Sequence, residues 1–159
     1  MNWQSQLAGR ATLAIGLLAA FALPAQADTQ FYRDLEMKDC ASWGDLVHAA
    51  YILKTGKNDQ KTFEEYCHFA IENCLAPESW NADKDSPVTK GKLAYVLVSS
   101  LGIKGGIWLN LLGNTQRYAY RECLYLGLMG RASQHRYIGG KELLSVLRRG
   151  MEYHRAHGG

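Results

Sequence analysis

Pro87-Val88-Thr89-Lys90-Gly91-Lys92-Leu93-Ala94 is the stretch from which the rest of the chain is read. Thr89 is a residue type that caps helix N-termini. Behind it Leu93, Val96, Leu97, Ser100 and Leu101 recur three and four apart, the spacing of one face of a helix, and Gly102 is a natural C-terminal stop. Two other stretches open the same way, with a small or polar residue, a glycine, a charge and then leucine. They are Ser42-Trp43-Gly44-Asp45-Leu46 and Gly139-Gly140-Lys141-Glu142-Leu143, which place the three leucines 47 and 50 residues apart. Spacing of that size is the signature of a repeated supersecondary unit.

The intervals between these openings carry helices of their own. Leu46, Ala49, Ala50 and Leu53 form one apolar stripe ending at Gly56. Thr62 and Glu65 make a capping box for a second helix that carries Phe63, Tyr66, Cys67, Ala70, Ile71 and Cys74 and is expected to run on toward Pro77. A polar loop, Glu78 to Pro87, leads to the Thr89 helix. The segment Ile103 to Gly113 is broken by glycines, and its run Ile107 to Leu112 reads equally as a short strand or a helical turn. A helix over Arg117 to Met129 and another from Gly140 to about Arg155 follow. The expected fold is all-α, a bundle of about two and a half helix–loop–helix units. No single helix pair buries its apolar face alone, so the units pack on one another.

The N-terminus has the secretory pattern: Arg10 is its only charge, Ala11 to Leu23 is apolar, and Ala25-Gln26-Ala27 offers the small residues of a cleavage site. The apolar run is too short to cross a ~30 Å hydrocarbon core. Residues 1–27 are therefore predicted to be a signal peptide, and residues 28–159 a single exported domain with no integral membrane segment. Export predicts a periplasmic, cell-surface or extracellular location. Loss of Arg10 lowers the net charge from +3 to +2, too weak a balance for a general nucleic-acid surface. All four cysteines, Cys40, Cys67, Cys74 and Cys123, lie in the exported part, where disulfides persist. If one helix carries both Cys67 and Cys74, their Cα atoms stand about 10 Å apart, beyond disulfide reach. Two bridges are then expected, Cys40 to one of that pair and Cys123 to the other. The competing reading leaves some of them as free thiols acting as small buried hydrophobes.

The repeated opening resembles the S-layer homology repeat, a helix–loop–helix module of bacterial envelope proteins in which an apolar position precedes a Thr-Arg-Ala-Glu-like tetrad. Val88 to Ala94 is the nearest match, Ile138 to Leu144 the next, and the opening at Trp43-Gly44-Asp45-Leu46 the weakest; the resemblance spans about Cys40 to Arg149. The chain is also similar to envelope proteins with a Gly-Gly segment followed by an Arg-Tyr-Ala-x-Arg-Glu stretch, here Gly105-Gly106 and Arg117 to Glu122. The repeat resemblance implies three units about a pseudo-threefold axis, with tetrads lining grooves that hold anionic wall polymer. This chain departs from the tetrad. Its basic position is Trp43, Lys90 or Gly140 and its acidic position Asp45, Lys92 or Glu142, so no unit carries both charges.

Catalytic signatures are absent: there is no Gly-x-Ser-x-Gly elbow, no His-Glu-x-x-His and no phosphate-cradling lysine loop. Cys67-His68 are neighbours whose side chains diverge on a helix. His154 and His157 supply two ligands at most, and Asp83 and Asp85 lack the rest of a calcium loop, so no metal and no cofactor is expected. The candidate contact residues are Arg117, Tyr118, Arg121 and Glu122, where a helix sets two guanidinium forks beside an aromatic and an acid, together with Lys90 and Glu142; the competing and slightly favoured reading of the Arg117 to Glu122 cluster is an internal Arg–Glu network that orients the helix against Gly105-Gly106. Trp43, Trp80 and Trp108 read as core and loop anchors. The expected function is a non-enzymatic envelope protein, structural or binding, whose partner is an envelope protein or cell-wall polymer. The alternative is a secreted hydrolase or other enzyme with an unrecognised site, which would need paired acids beyond Glu64-Glu65, two residues expected to face solvent.

Overall fold

The computed structural model describes residues 24–80, 83–104 and 114–157. Most of the segment expected to be a signal peptide, Asn81, and the run Gly105 to Gly113 with Trp108 lie outside the described residues. Among the described residues there are six α-helices: α1 (Pro24–Met37), α2 (Trp43–Thr55), α3 (Phe63–Glu72), α4 (Lys90–Leu101), α5 (Gln116–Tyr125) and α6 (Gly140–His157), with a 3₁₀ turn at Glu78–Trp80. Among the described residues there is no strand, only two isolated bridges at Ser42–Pro87 and Thr89–Tyr137. None of these helices is long and apolar enough to cross a membrane.

The helices form two shells. α2, α4 and α6 touch one another in the centre, and each has one outer partner: α3 on α2, α5 on α4, α1 on α6. The centre is apolar, built from Leu46, Ala50 and Leu53 of α2, Leu93, Val96 and Leu97 of α4, and Leu143, Val146 and Leu147 of α6. The periodic leucines that follow each opening thus meet in one core.

Three short segments tie the inner helices together at their N-terminal ends. The amide of Ala41 donates to Ile138 O (2.8 Å), that of Ile138 to Val88 O (3.0 Å), and that of Val88 to Ala41 O (3.0 Å), so the three bonds close a ring. Beyond the ring, the first amides of the inner helices, which have no intrahelical acceptor, donate to the loop ahead of another opening. Trp43 and Gly44 donate to Ser86 O and Lys84 O, Lys90 and Gly91 to Arg136 O and Gln134 O, and Gly140 to Lys38 O, all within 2.8–3.0 Å. This explains the glycine in each opening. A Cβ on Gly44 would lie 3.3 Å from Lys84 O, on Gly91 3.3 Å from Gln134 O, and on Gly140 only 1.7 Å from Leu35 O.

The Thr62–Glu65 capping box and the Thr89 cap read from the sequence are present, and the structure adds a Ser42–Asp45 box on α2 and a Thr115 cap on α5. The C-terminal ends depart from the sequence reading. α3 stops at Glu72 rather than continuing through Cys74, and α5 stops at Tyr125 rather than Met129. Both end in the same six-to-one hydrogen-bonded turn: Leu75 N to Ala70 O (2.8 Å) with Cys74 at φ 54°, and Leu128 N to Cys123 O (2.9 Å) with Gly127 at φ 70°. Each turn folds the next two residues, Leu75-Ala76 and Leu128-Met129, into the core.

The two expected disulfides are not formed; all four cysteines are free thiols. Cys74 is not on the helix of Cys67 but past its end, so the spacing argument that steered the pairing does not apply. Cys123 is wholly buried between α5 and α4, its Sγ 3.9 Å from Ala94 O, where it packs as a small apolar side chain. Cys40 and Cys74 are exposed, and Cys67 is half-buried.

Candidate functional site

Two charges of the repeated openings, Lys90 and Glu142, are spent on one another, and a third, Asp45, is held by Lys38. Lys90, at the first position of α4, is 3% exposed, and its ammonium meets Glu142 Oε1 near the start of α6. Lys38, in the segment ahead of α2, binds both carboxylate oxygens of Asp45 at 2.7 and 2.8 Å, and Asp45 also accepts from the amide and hydroxyl of Ser42. The Lys38–Asp45 pair is local, whereas Lys90 and Glu142, 52 residues apart, are brought together by the fold. Lys90 and Glu142, two of the candidate contact residues, therefore meet as a partly buried ion pair.

The other candidates lie on α5. Its inner face is Ala119, Tyr120 and Cys123, all buried. Tyr118 and Glu122 are half-buried, and Arg117 and Arg121 are exposed. One turn further along the same line stands Tyr125, 85% exposed. Among the described residues neither arginine enters an ion pair, and the fold does not join them to the Lys90–Glu142 pair. The result is an outer helix face of two unpaired guanidinium groups and a solvent-facing tyrosine.

Among the concavities of the described residues, two that the sequence did not foresee adjoin the aromatic side chains of α2 and α3. One, of about 320 Å³, opens beside the start of α2 and is lined by Lys38, Asp45, His48, Lys61, Tyr66 and Lys84 among others. Its wall is a stack: His48 lies between Phe31 of α1 (ring centroids 4.0 Å) and Tyr66 of α3 (4.4 Å), and its Nε2 is 2.6 Å from Asn58 Oδ1. Burial lowers the His48 pKa below its ordinary 6.5, against the opposing pull of the Asn58 bond and Asp45. The sequence signal was slight, because these residues come from three separate segments.

The second concavity, of about 240 Å³, lies between α2, α3 and the 3₁₀ turn and is lined by Trp43, Cys67, Ile71, Pro77, Glu78 and Trp80 among others. The two indoles meet edge to face at 6.0 Å, and Lys92 Nζ stands 5.6 and 5.5 Å from their centroids. The expectation that Trp43 is a core anchor matches its 5% exposure, and Trp80 is half-buried beside it. The thiol of Cys67 is pushed up, chiefly by burial and further by the Glu64 charge, which makes it a poor nucleophile. His68 turns away to Glu72 at 3.1 Å.

Among the described residues no three His, Cys, Asp or Glu side chains gather as a metal site. α6 continues to His157, whose Nδ1 lies 3.0 Å from Tyr153 O and whose ring stacks on Tyr153. The chain matches no protein-family model, no curated protein and no solved structure.

Proposed function

We propose that this is a non-enzymatic, exported module of the bacterial envelope, built of units like the S-layer homology repeat, that works by binding through the outer face of α5. The repeat reading is supported by the closed ring of Ala41, Val88 and Ile138 and by the glycine-gated loop contact at each opening. The observation that carries the binding reading is the exposed line of Arg117, Arg121 and Tyr125 along α5. Lys90 and Lys38 are committed to Glu142 and Asp45, whereas Arg117 and Arg121 stand exposed with no acid beside them in any ion pair among the described residues. Lys90, the one cation at a tetrad basic position, is already neutralised by Glu142 and serves an anionic polymer poorly, so an envelope protein is the favoured partner. Arginine and tyrosine together are also the residue types that dominate protein-binding hot spots.

The test is retention of residues 28–159 by the envelope fraction of the source organism, with sacculi either intact or stripped of protein by protease. Retention that disappears on stripping and in the Arg117→Ala/Arg121→Ala variant is the expected result. Retention that survives stripping assigns the same face to wall polymer. No retention, or retention indifferent to the double substitution, overturns the proposal.

A further inference from the structure

The outer helices α3 and α5 occupy equivalent positions, each packed on one inner helix, but they carry opposite charge. α3 has Glu64, Glu65 and Glu72 and no lysine or arginine; α5 has Arg117 and Arg121 against the single acid Glu122. α3 also borders the 240 Å³ aromatic pocket, with Glu78 in its lining and Ile71 42% exposed beside it. α5 ends in Tyr125, 85% exposed. We propose that the partner of the α5 face is a second copy of this chain: Arg117 and Arg121 of one molecule meet the glutamates of α3 on another, and Tyr125 enters the pocket walled by Trp43 and Trp80. This deepens the binding reading above by naming the partner, and it rests on that reading for the role of α5.

Three features of the two faces fit one another. The pocket is smaller than the roughly 300–1,000 Å³ of small-molecule sites and matches a single large side chain. Its walls are indole, thiol and aliphatic groups, which favour an aromatic ring, while Glu78 offers an acceptor to a phenolic hydroxyl. Lys92 already lies over both indoles, yet Glu64, Glu72 and Glu78 leave this face acidic, the sign that the α5 arginines require. Tyr125 is the only residue of α5 that is both aromatic and fully in solvent, and it stands one turn beyond Arg121. One helix therefore presents an aromatic anchor and two cations in a line, and the other presents a pocket with acids around it.

The experiment is sedimentation equilibrium of residues 28–159 from about 10 to 500 μM with reductant present, so that the exposed Cys40 and Cys74 add no cross-links. The expected result is a mass that rises with concentration and falls back with added salt, the behaviour of screened surface charge. Two exposed-face variants, Arg117→Glu/Arg121→Glu and Ile71→Asp, should each weaken association at least tenfold while keeping the helical circular dichroism of the parent. Mixed in equal amounts they should pair again, since each retains the face that the other has lost. A parent that stays monomeric throughout, or a mixture that fails to pair, overturns the inference. A monomeric parent whose envelope retention still needs Arg117 and Arg121 sinks the second copy and leaves the binding reading intact. Self-association without any envelope retention does the reverse.

Discussion

Cys74 occupies a position that the backbone offers to glycine. Its φ of 54° is left-handed, a conformation that costs a residue with a Cβ about 1–2 kcal/mol, and the equivalent turn after α5 uses Gly127. Because the Cys74 side chain is exposed, little packing is lost on its removal. Cys74→Gly should raise stability by about 1 kcal/mol, seen as a higher urea midpoint at unchanged slope; an unchanged or lower midpoint would show that the turn carries no strain. His48 makes the opposite kind of contribution. Its native pKa lies below the ordinary 6.5 because the ring is buried between Phe31 and Tyr66. The unfolded chain then binds the proton more readily, and stability rises with pH wherever the unfolded state holds more protons. The His48 contribution is complete above pH 6.5 and drains away as pH falls from 6.5 through the lowered native value. In a His48→Phe variant that segment of the stability–pH curve should flatten, and an identical slope in parent and variant would assign the pH dependence elsewhere. Burial acts on Cys123 as well, pushing its thiol up to about 12, so maleimide should modify Cys40 and Cys74 in the folded protein and spare Cys123 until denaturant is added.

At the scale of elements, the repeated opening explains both what sequence reasoning reached and what it missed. Thr62 and Thr89 cap helices because a short side-chain oxygen next to an apolar periodic run has few other uses, and Gly56 and Gly102 end helices by taking left-handed φ. These signals are local and were legible. The ends of α3 and α5 were not, because apolar periodicity carries on through Leu75 and Leu128 while the backbone has already turned to bury them. α1 was missed for a different reason: between Thr29 and Met37 only Leu35 is fully buried, too little for a periodic stripe. The Lys90–Glu142 pair joins residues 52 apart, a distance at which one sequence carries no pairing signal, and taken unit by unit its charges read as a departure from the tetrad. The pair predicts an asymmetry. Glu142→Gln strands a lysine side chain that is 4% exposed, whereas Lys90→Met strands a carboxylate that is 34% exposed and open to water. Loss of one partner from a buried pair costs roughly 3–5 kcal/mol, so Glu142→Gln should approach about 3 kcal/mol in urea denaturation and Lys90→Met clearly less. Equal losses, or the reverse order, would mean that the pair is hydrated from both sides.

For the whole molecule, the question is what closes the bundle. α2 and α4 each have an outer helix that follows them in the chain, but α6 is the last helix, and its outer partner α1 comes from the other end of the described chain. The contact is intimate. Leu35 is fully buried, Gly140 donates to Lys38 O at 3.0 Å, and Lys38 holds Asp45; the absence of a Cβ at Gly140 is what lets the Leu35 carbonyl approach. Signal cleavage after Ala27, as proposed, would remove only the first four residues of α1 and leave every one of these contacts. A chain starting at Cys40 would lose them all. Burial of one leucine contributes about 1.5–3 kcal/mol and a hydrogen bond about 1 kcal/mol, so together with the opened surface of α6 the loss should come to about 4 kcal/mol, a large share of the 5–15 kcal/mol that typical domains possess. Residues 28–159 are therefore expected to unfold cooperatively in urea, and residues 40–159 to unfold at a far lower concentration or to lack a cooperative transition. Gly140→Ala within 28–159 should move in the same direction, because the added methyl drives the same two elements apart without removing either. If the shortened chain and the alanine variant both kept the parent's midpoint, α1 would be an appendage and the bundle would close without it.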